Sequence, residues 1–144
     1  MSIQSIIIER LINAPVPKVW KAITDKNEMK KWYFDLEEFK TEIGFNFQFT
    51  GGPSPEKQYL HLCEITDVIP EKRLTYSWRY DGYPGNSFVT FELSDKENKT
   101  LLKLTHIGIE SFADENPDFH IDNFREGWND IVNNHLRKHV ENDQ

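Results

Sequence analysis

Between about residue 34 and residue 108, apolar side chains recur at every second position, and this alternation constrains the chain more than any other feature. Phe45, Phe47 and Phe49 alternate with Asn46, Gln48 and Thr50; Leu74, Tyr76, Trp78 and Tyr80 alternate with Arg73, Thr75, Ser77 and Arg79. Val89, Phe91 and Leu93 repeat the pattern, as do Leu102, Leu104 and His106. A period of two puts alternate side chains on opposite faces of a strand, so each run has one apolar and one polar face. The stretches GGP, DGYPGN and DKENK interrupt the pattern and are short enough for tight turns. An antiparallel meander is the expected result.

The period changes on both sides of this region. Residues 3–13, IQSIIIERLIN, read as a further strand that Ala14-Pro15 stops. In PVPKVWKAIT, Val16, Val19, Trp20 and Ile23 recur at helical spacing, with prolines in the first turn where they are tolerated. Asp25 is placed to cap a second short helix, DKNEMKKW, and Glu28 completes a capping-box pattern. After Gly108 the loop ESFADEN leads to Asn116-Pro117 and a helical pattern reaching about residue 141. Its apolar face takes Phe124, Trp128, Ile131 or Val132, His135 or Leu136, and Val140. Gly127 lies inside this helix at a cost of about 1 kcal/mol relative to alanine. It either makes room for Trp128 or a sheet aromatic, or lets a backbone or a bound molecule approach closely.

A one-sided sheet and a long amphipathic helix must bury their faces against each other, which makes the fold class α+β. The length of 144 residues fits one domain, taken as 1–144, with no repeat or linker marking a second. The net charge of −7, with 24 acidic against 17 basic residues, opposes nucleic-acid binding, which needs a basic face. No run approaches the ~20 apolar residues of a membrane helix, and the N-terminus lacks a signal-peptide layout. No membrane insertion and a cytoplasmic location are expected. The single cysteine, Cys63, excludes an intramolecular disulfide and a cysteine-rich zinc site. Four Trp, five Tyr and ten Phe either fill a large core or line an apolar cavity.

The order strand, two short helices, six strands and long helix resembles the helix-grip arrangement of the START and birch-pollen-allergen superfamily, also called SRPBCC. Within it, INAPVPKVWKAITD with KKW, FQFTGG, VIPEKRLTYSWRY, SFVTFEL, LLKLTHIG and EGW are similar, in order, to the family named after the activator of the ninety-kilodalton heat-shock chaperone's ATPase. The resemblance implies a curved antiparallel sheet of about six or seven strands wrapped around a C-terminal helix. It implies ligand-binding or chaperone-associated domains and no shared catalytic motif. The eukaryotic co-chaperone carries a separate N-terminal domain for which this chain has no room, so co-chaperone action is not the first expectation. His135 stands where family members more often show an aliphatic residue. The matching pieces place Arg10 on the face of Ile8 and Ile12, where it needs a carbonyl or carboxylate partner or binds an acidic head group; the alternative is a salt bridge at the edge or rim of the sheet.

Five histidines, at 61, 106, 120, 135 and 139, are candidates for acid–base or metal chemistry. His106 and His135 are placed to face each other across a cavity; the alternative is that each is hydrogen-bonded within the core. His135 and His139 are four apart, a spacing suited to a metal. No third ligand is evident and Arg137 and Lys138 flank them, so no metal and no cofactor are expected. The serines lack a GxSxG elbow, and Gly51-Gly52 leads into proline rather than a helix. The expected site is a cavity between sheet and helix that takes a small apolar or aromatic molecule such as a lipid, polyketide or flavonoid. Its lining is drawn from Phe45, Phe47, Phe49, Tyr59, His61, Leu74, Tyr76, Trp78, Val89, Phe91, Leu104, His106, Phe124, Gly127, Trp128, Ile131 and His135. Two other readings stand beside this one: a cyclase or hydratase that moves a proton with His106 or His135, and an interaction module acting on a chaperone. A monomer or weak dimer is expected.

Overall fold

The computed structural model describes residues 5–32, 39–54, 56–112 and 121–142. Strand β1 (Ser5–Ile12) leads into helices α1 (Val16–Thr24) and α2 (Lys26–Trp32), followed by strands β2 (Asn46–Ser54), β3 (Lys57–Ile69), β4 (Arg73–Tyr80), β5 (Ser87–Lys96) and β6 (Lys99–Ile107). The C-terminal helix is described from Ile121 onward and has three parts: α3 (Ile121–Asp130), a π-helical segment (Ile131–Leu136) and α4 (Arg137–Asn142). The expected helix start at Asn116-Pro117, and His120, lie outside the described residues, as does the beginning of the period-two region at 34–38.

Among the described residues the sheet is antiparallel with six strands in the order β1-β6-β5-β4-β3-β2. This is the α+β helix-grip arrangement. The β5–β6 turn shows why it is tight: Lys96 pairs with Lys99, and the two residues between, Glu97 and Asn98, have φ of 55° and 71°. Positive φ at both central positions suits the right-handed twist of the flanking strands. Strand β2 continues past Gly51-Gly52-Pro53 to Ser54, with an irregular register between Gly51 and Ser54. The glycines and proline therefore produce an irregularity rather than the strand end that their composition implies.

Asp25 caps α2 as expected, its carboxylate accepting the Asn27 N–H at 2.8 Å. Glu28 does not close a capping box. Its carboxylate instead receives His139 Nε2 at 2.7 Å, joining α2 to α4. The Trp32 indole donates to the Ala22 carbonyl at 2.8 Å, which holds the two short helices together.

The C-terminal helix buries Phe124, Trp128, Val132, Leu136 and Val140. This settles the alternatives: Val132 and Leu136 face the core, Ile131 is half-buried against it, and His135 is exposed. The spacing is four residues throughout. In a pure α-helix each step of four would drift about 40° around the axis. The wider winding of a π turn, roughly 4.4 residues, takes back part of that drift and keeps all five side chains on one face.

Candidate functional site: the aromatic inner face

The inward positions of β2 to β6 follow the alternation of the sequence. Phe47, Phe49, His61, Leu74, Tyr76, Trp78, Val89, Phe91, Leu104 and His106 are buried, and Phe124 and Trp128 meet them from α3. Phe45 and Tyr59 are half-buried and packed against this core. The rings form a connected surface. Phe49 stacks on His61 with centroids 4.5 Å apart, and Trp78 meets Phe49 edge-on at 5.6 Å. Phe47 packs on Tyr76 at 5.1 Å, and Phe91 on Trp128 at 6.1 Å. From the surface, Tyr83 contacts Tyr59 at 5.5 Å, Tyr59 contacts Tyr80 at 5.7 Å, and Tyr80 contacts His61 at 4.7 Å. His61 then reaches Trp78 at 4.9 Å, and Trp78 reaches Trp128 at 5.5 Å.

The polar atoms of this face are paired in a chain whose directions can be read from the donors. The Trp128 indole has only an N–H to give, so it donates to His106 Nδ1 at 2.9 Å. His106 Nδ1 is therefore the acceptor nitrogen and Nε2 carries the proton. Nε2–H donates to Ser87 Oγ at 2.8 Å, and the Ser87 hydroxyl donates to the Trp78 carbonyl at 2.8 Å. Burial holds the His106 pKa at about 3, well below its ordinary 6.5. Protonation would set an Nδ1–H against the Trp128 N–H.

His61 donates Nδ1–H to the Tyr59 carbonyl at 3.0 Å. Burial lowers its pKa to about 4, against the opposing pull of backbone carbonyls at Tyr59 and Phe49. The Trp78 indole donates to the Tyr80 hydroxyl at 3.0 Å. Burial also pushes the Cys63 thiol upward, which keeps it protonated.

Two sequence expectations are corrected, those for His135 and Gly127. His135 does not face His106. It is half exposed on the far side of the helix, with Nε2 3.1 Å from Asp130 Oδ2, because the four-residue stripe turns Leu136 inward in its place. The Asp130 carboxyl is held low by hydrogen bonds from the Asn134 amide and from His135. His135 and His139 contact different carboxylates, Asp130 and Glu28, and among the described residues no group of three His, Cys, Asp or Glu side chains gathers to hold a metal.

Gly127 is exposed, and a Cβ built on it meets nothing within 4 Å, so it provides no close approach. The close approach belongs to Gly85, with φ +104°, where a Cβ would come within 2.5 Å of the Ser111 carbonyl oxygen. Arg10 lies opposite Leu102 on the inward side of β1, yet it is exposed at the sheet edge. An inward-side charge of this kind blocks strand addition at an edge. Ser87 is the functional contributor that the sequence reading missed; its place opposite Trp78 at the start of β5 was the available signal.

Among the described residues, some of the surface hollows lie away from the inner face. One, of about 400 Å³, is bordered by Gln48, Leu62, Glu64, Ser77 and Arg79 on the outer side of β2 to β4. Another, of about 720 Å³, lies where Pro15–Pro17 meets Ile69–Arg73 and Glu92–Asp95. Neither lies between the sheet and the C-terminal helix.

Comparison with known proteins places this geometry. Solved structures share the fold: CalU16 from Micromonospora echinospora is 29% identical, with a TM-score of 0.75 over 96% of this chain and 76% of that one. Protein BH1534 from Bacillus halodurans is 28% identical, with a TM-score of 0.74 over 97% and 99% of the two chains. MLL2253 from Mesorhizobium loti, at 24% identity and a TM-score of 0.78 over 98% and 99%, shares the fold. No curated protein matches. The profile described as "Activator of Hsp90 ATPase homolog 1-like protein" matches residues 13–141. With nearly the whole chain covered by that profile, and the helix-grip sheet and helix in place, the protein belongs to the family of activator of Hsp90 ATPase homolog 1-like proteins.

Proposed function

We propose that this protein is a non-catalytic binding module that takes a small, flat apolar or aromatic molecule against the inner aromatic face. The observation that carries this reading is the unbroken path of rings from exposed Tyr83 through Tyr59, Tyr80, His61 and Trp78 to Trp128, in steps of 4.7–5.7 Å. A ring–ligand stack is worth about 0.5–1.5 kcal/mol beyond area burial, the same range as the ring–ring contact that it would replace. Tyrosine hydroxyls along the path, which both donate and accept, can orient a guest. A lipid, a polyketide and a flavonoid-like molecule all fit this chemistry.

The state of His106 favours binding over catalysis. A general base needs a free lone pair within reach of the substrate. The Nδ1 lone pair of His106 takes the Trp128 N–H, and its other nitrogen is bonded to Ser87. The activation of a chaperone ATPase belongs to the family's namesake.

The test is an amide NMR titration of the labelled protein with flavonoids, aromatic polyketides, fatty acids and sterols. The expected result is saturable shifts at Tyr59, His61, Trp78 and Trp128, and affinity at least about tenfold weaker for Tyr59→Ala. If no compound moves these resonances, while a chaperone middle domain binds and is lost on surface charge changes alone, the interaction reading replaces this one.

A further inference from the structure

The outer face of the sheet carries a pattern the inner site does not use. One row crosses four strands in register: Glu9 on β1 lies opposite Lys103 on β6, Lys103 opposite Glu92 on β5, and Glu92 opposite Arg73 on β4. The signs run minus, plus, minus, plus. Four residues along from this row, past Thr105 and Thr90, Ile107 and Phe88 are paired directly and remain 45% and 37% exposed. Ile7, 57% exposed, lies diagonal to Ile107.

From this pattern we infer that the outer face of β1, β6, β5 and β4 is a docking surface for a second copy of the chain, packed sheet on sheet about a two-fold axis that runs parallel to the strands between β5 and β6. The charge row selects that axis. A two-fold placed there lays Lys103 over Glu92 of the second copy and Glu9 over Arg73 of the second copy, so every facing pair is opposite in sign. It also lays Ile107 over Phe88 of the second copy, which covers both of these exposed side chains at one end of the contact. A two-fold axis along the row lays each charge over its own copy, Glu9 on Glu9 and Lys103 on Lys103, and is repulsive throughout. Four strands about 4.8 Å apart and four outward rows about 6.7 Å apart cover roughly 500 Å² per copy. That total is at the lower limit of a specific interface, so the dimer is weak and salt-sensitive.

Sedimentation velocity of the full chain from micromolar to millimolar concentration, at low and high salt, tests the inference. The wild type is expected to self-associate, less so at high salt. Lys103→Glu and Glu92→Lys are each expected to weaken self-association about tenfold or more. Mixing the two single variants restores association to near the wild-type level, because all facing pairs in the mixed dimer are again opposite in sign. Charges acting only across strands within one chain cannot produce that rescue. Phe88→Ser, which leaves the charge row intact, is expected to weaken the dimer without changing the far-ultraviolet spectrum. A wild type that stays monomeric at all concentrations, or single variants that mixing does not restore, overturns the inference.

Discussion

Gly127 and His106 show how little a residue's identity says until its surroundings are known. Gly127 sits in a solvent-facing turn of α3 with open space where a Cβ would go, so nothing in the fold offsets its helix cost. Gly127→Ala is expected to raise stability by about 0.5–1 kcal/mol in urea unfolding. Gly85→Ala is expected to lower it, because its Cβ would meet the Ser111 carbonyl. His106 and His61 have folded pKa values of about 3 and about 4, both below the ordinary 6.5. Between those limits the unfolded chain binds more protons than the folded one, so stability rises with pH. Their contribution is complete above about pH 6.5 and is lost as pH falls toward 4 and then 3. Urea unfolding between pH 7 and 4 should show a loss on the order of a few kcal/mol, with a shallower slope in His106→Gln. A nitrogen-15 spectrum at pH 7 should show His106 neutral with its proton on Nε2.

At the scale of elements, the C-terminal helix is the most informative. A strict four-residue repeat from Phe124 to Val140 is too long a period for an α-helix and too short for a π-helix, and the chain meets it by joining the two. The sequence alone left Ile131 against Val132 and His135 against Leu136 undecided, because a helical wheel drawn at 100° per residue spreads the stripe over both. Leu136→Ala is expected to cost about 2–5 kcal/mol in chemical unfolding. His135→Ala, at an exposed position paired with an exposed carboxylate, should cost well under 1 kcal/mol. Equal losses from both variants would mean that the helix is phased differently. The sheet was easier to read. Its inward and outward faces follow from alternation, whereas the pairing of Glu9, Lys103, Glu92 and Arg73 into one row needed the register that the folded strands supply.

For the whole molecule, a few long-range polar contacts tie together the β1–α1 junction, the start of β6, α2 and the end of the C-terminal helix. Thr100 Oγ1 donates to the Ala14 carbonyl at 2.7 Å from a buried position. The Asn13 N–H reaches Glu141 at 2.8 Å, and His139 reaches Glu28 at 2.7 Å, with both side chains largely buried. Glu28→Ala leaves the imidazole without this acceptor, and a loss of about 1–2 kcal/mol is expected. Faster amide hydrogen exchange confined to α2 and α4 would show that the contact holds the helix end in place. Unchanged exchange there would mean that apolar packing of Leu136 and Val140 is sufficient. None of these partners could be read from the chain, since they lie up to 128 residues apart. The sequence by itself determined which segments are strands or helices and which strand faces are apolar, because both are local periodicities of side-chain direction. Only the tertiary structure decided that His106 is held neutral between Trp128 and Ser87, that His135 faces solvent, and that the outer charges line up. Those outcomes depend on register, helix phase and burial, which exist only once distant segments have met.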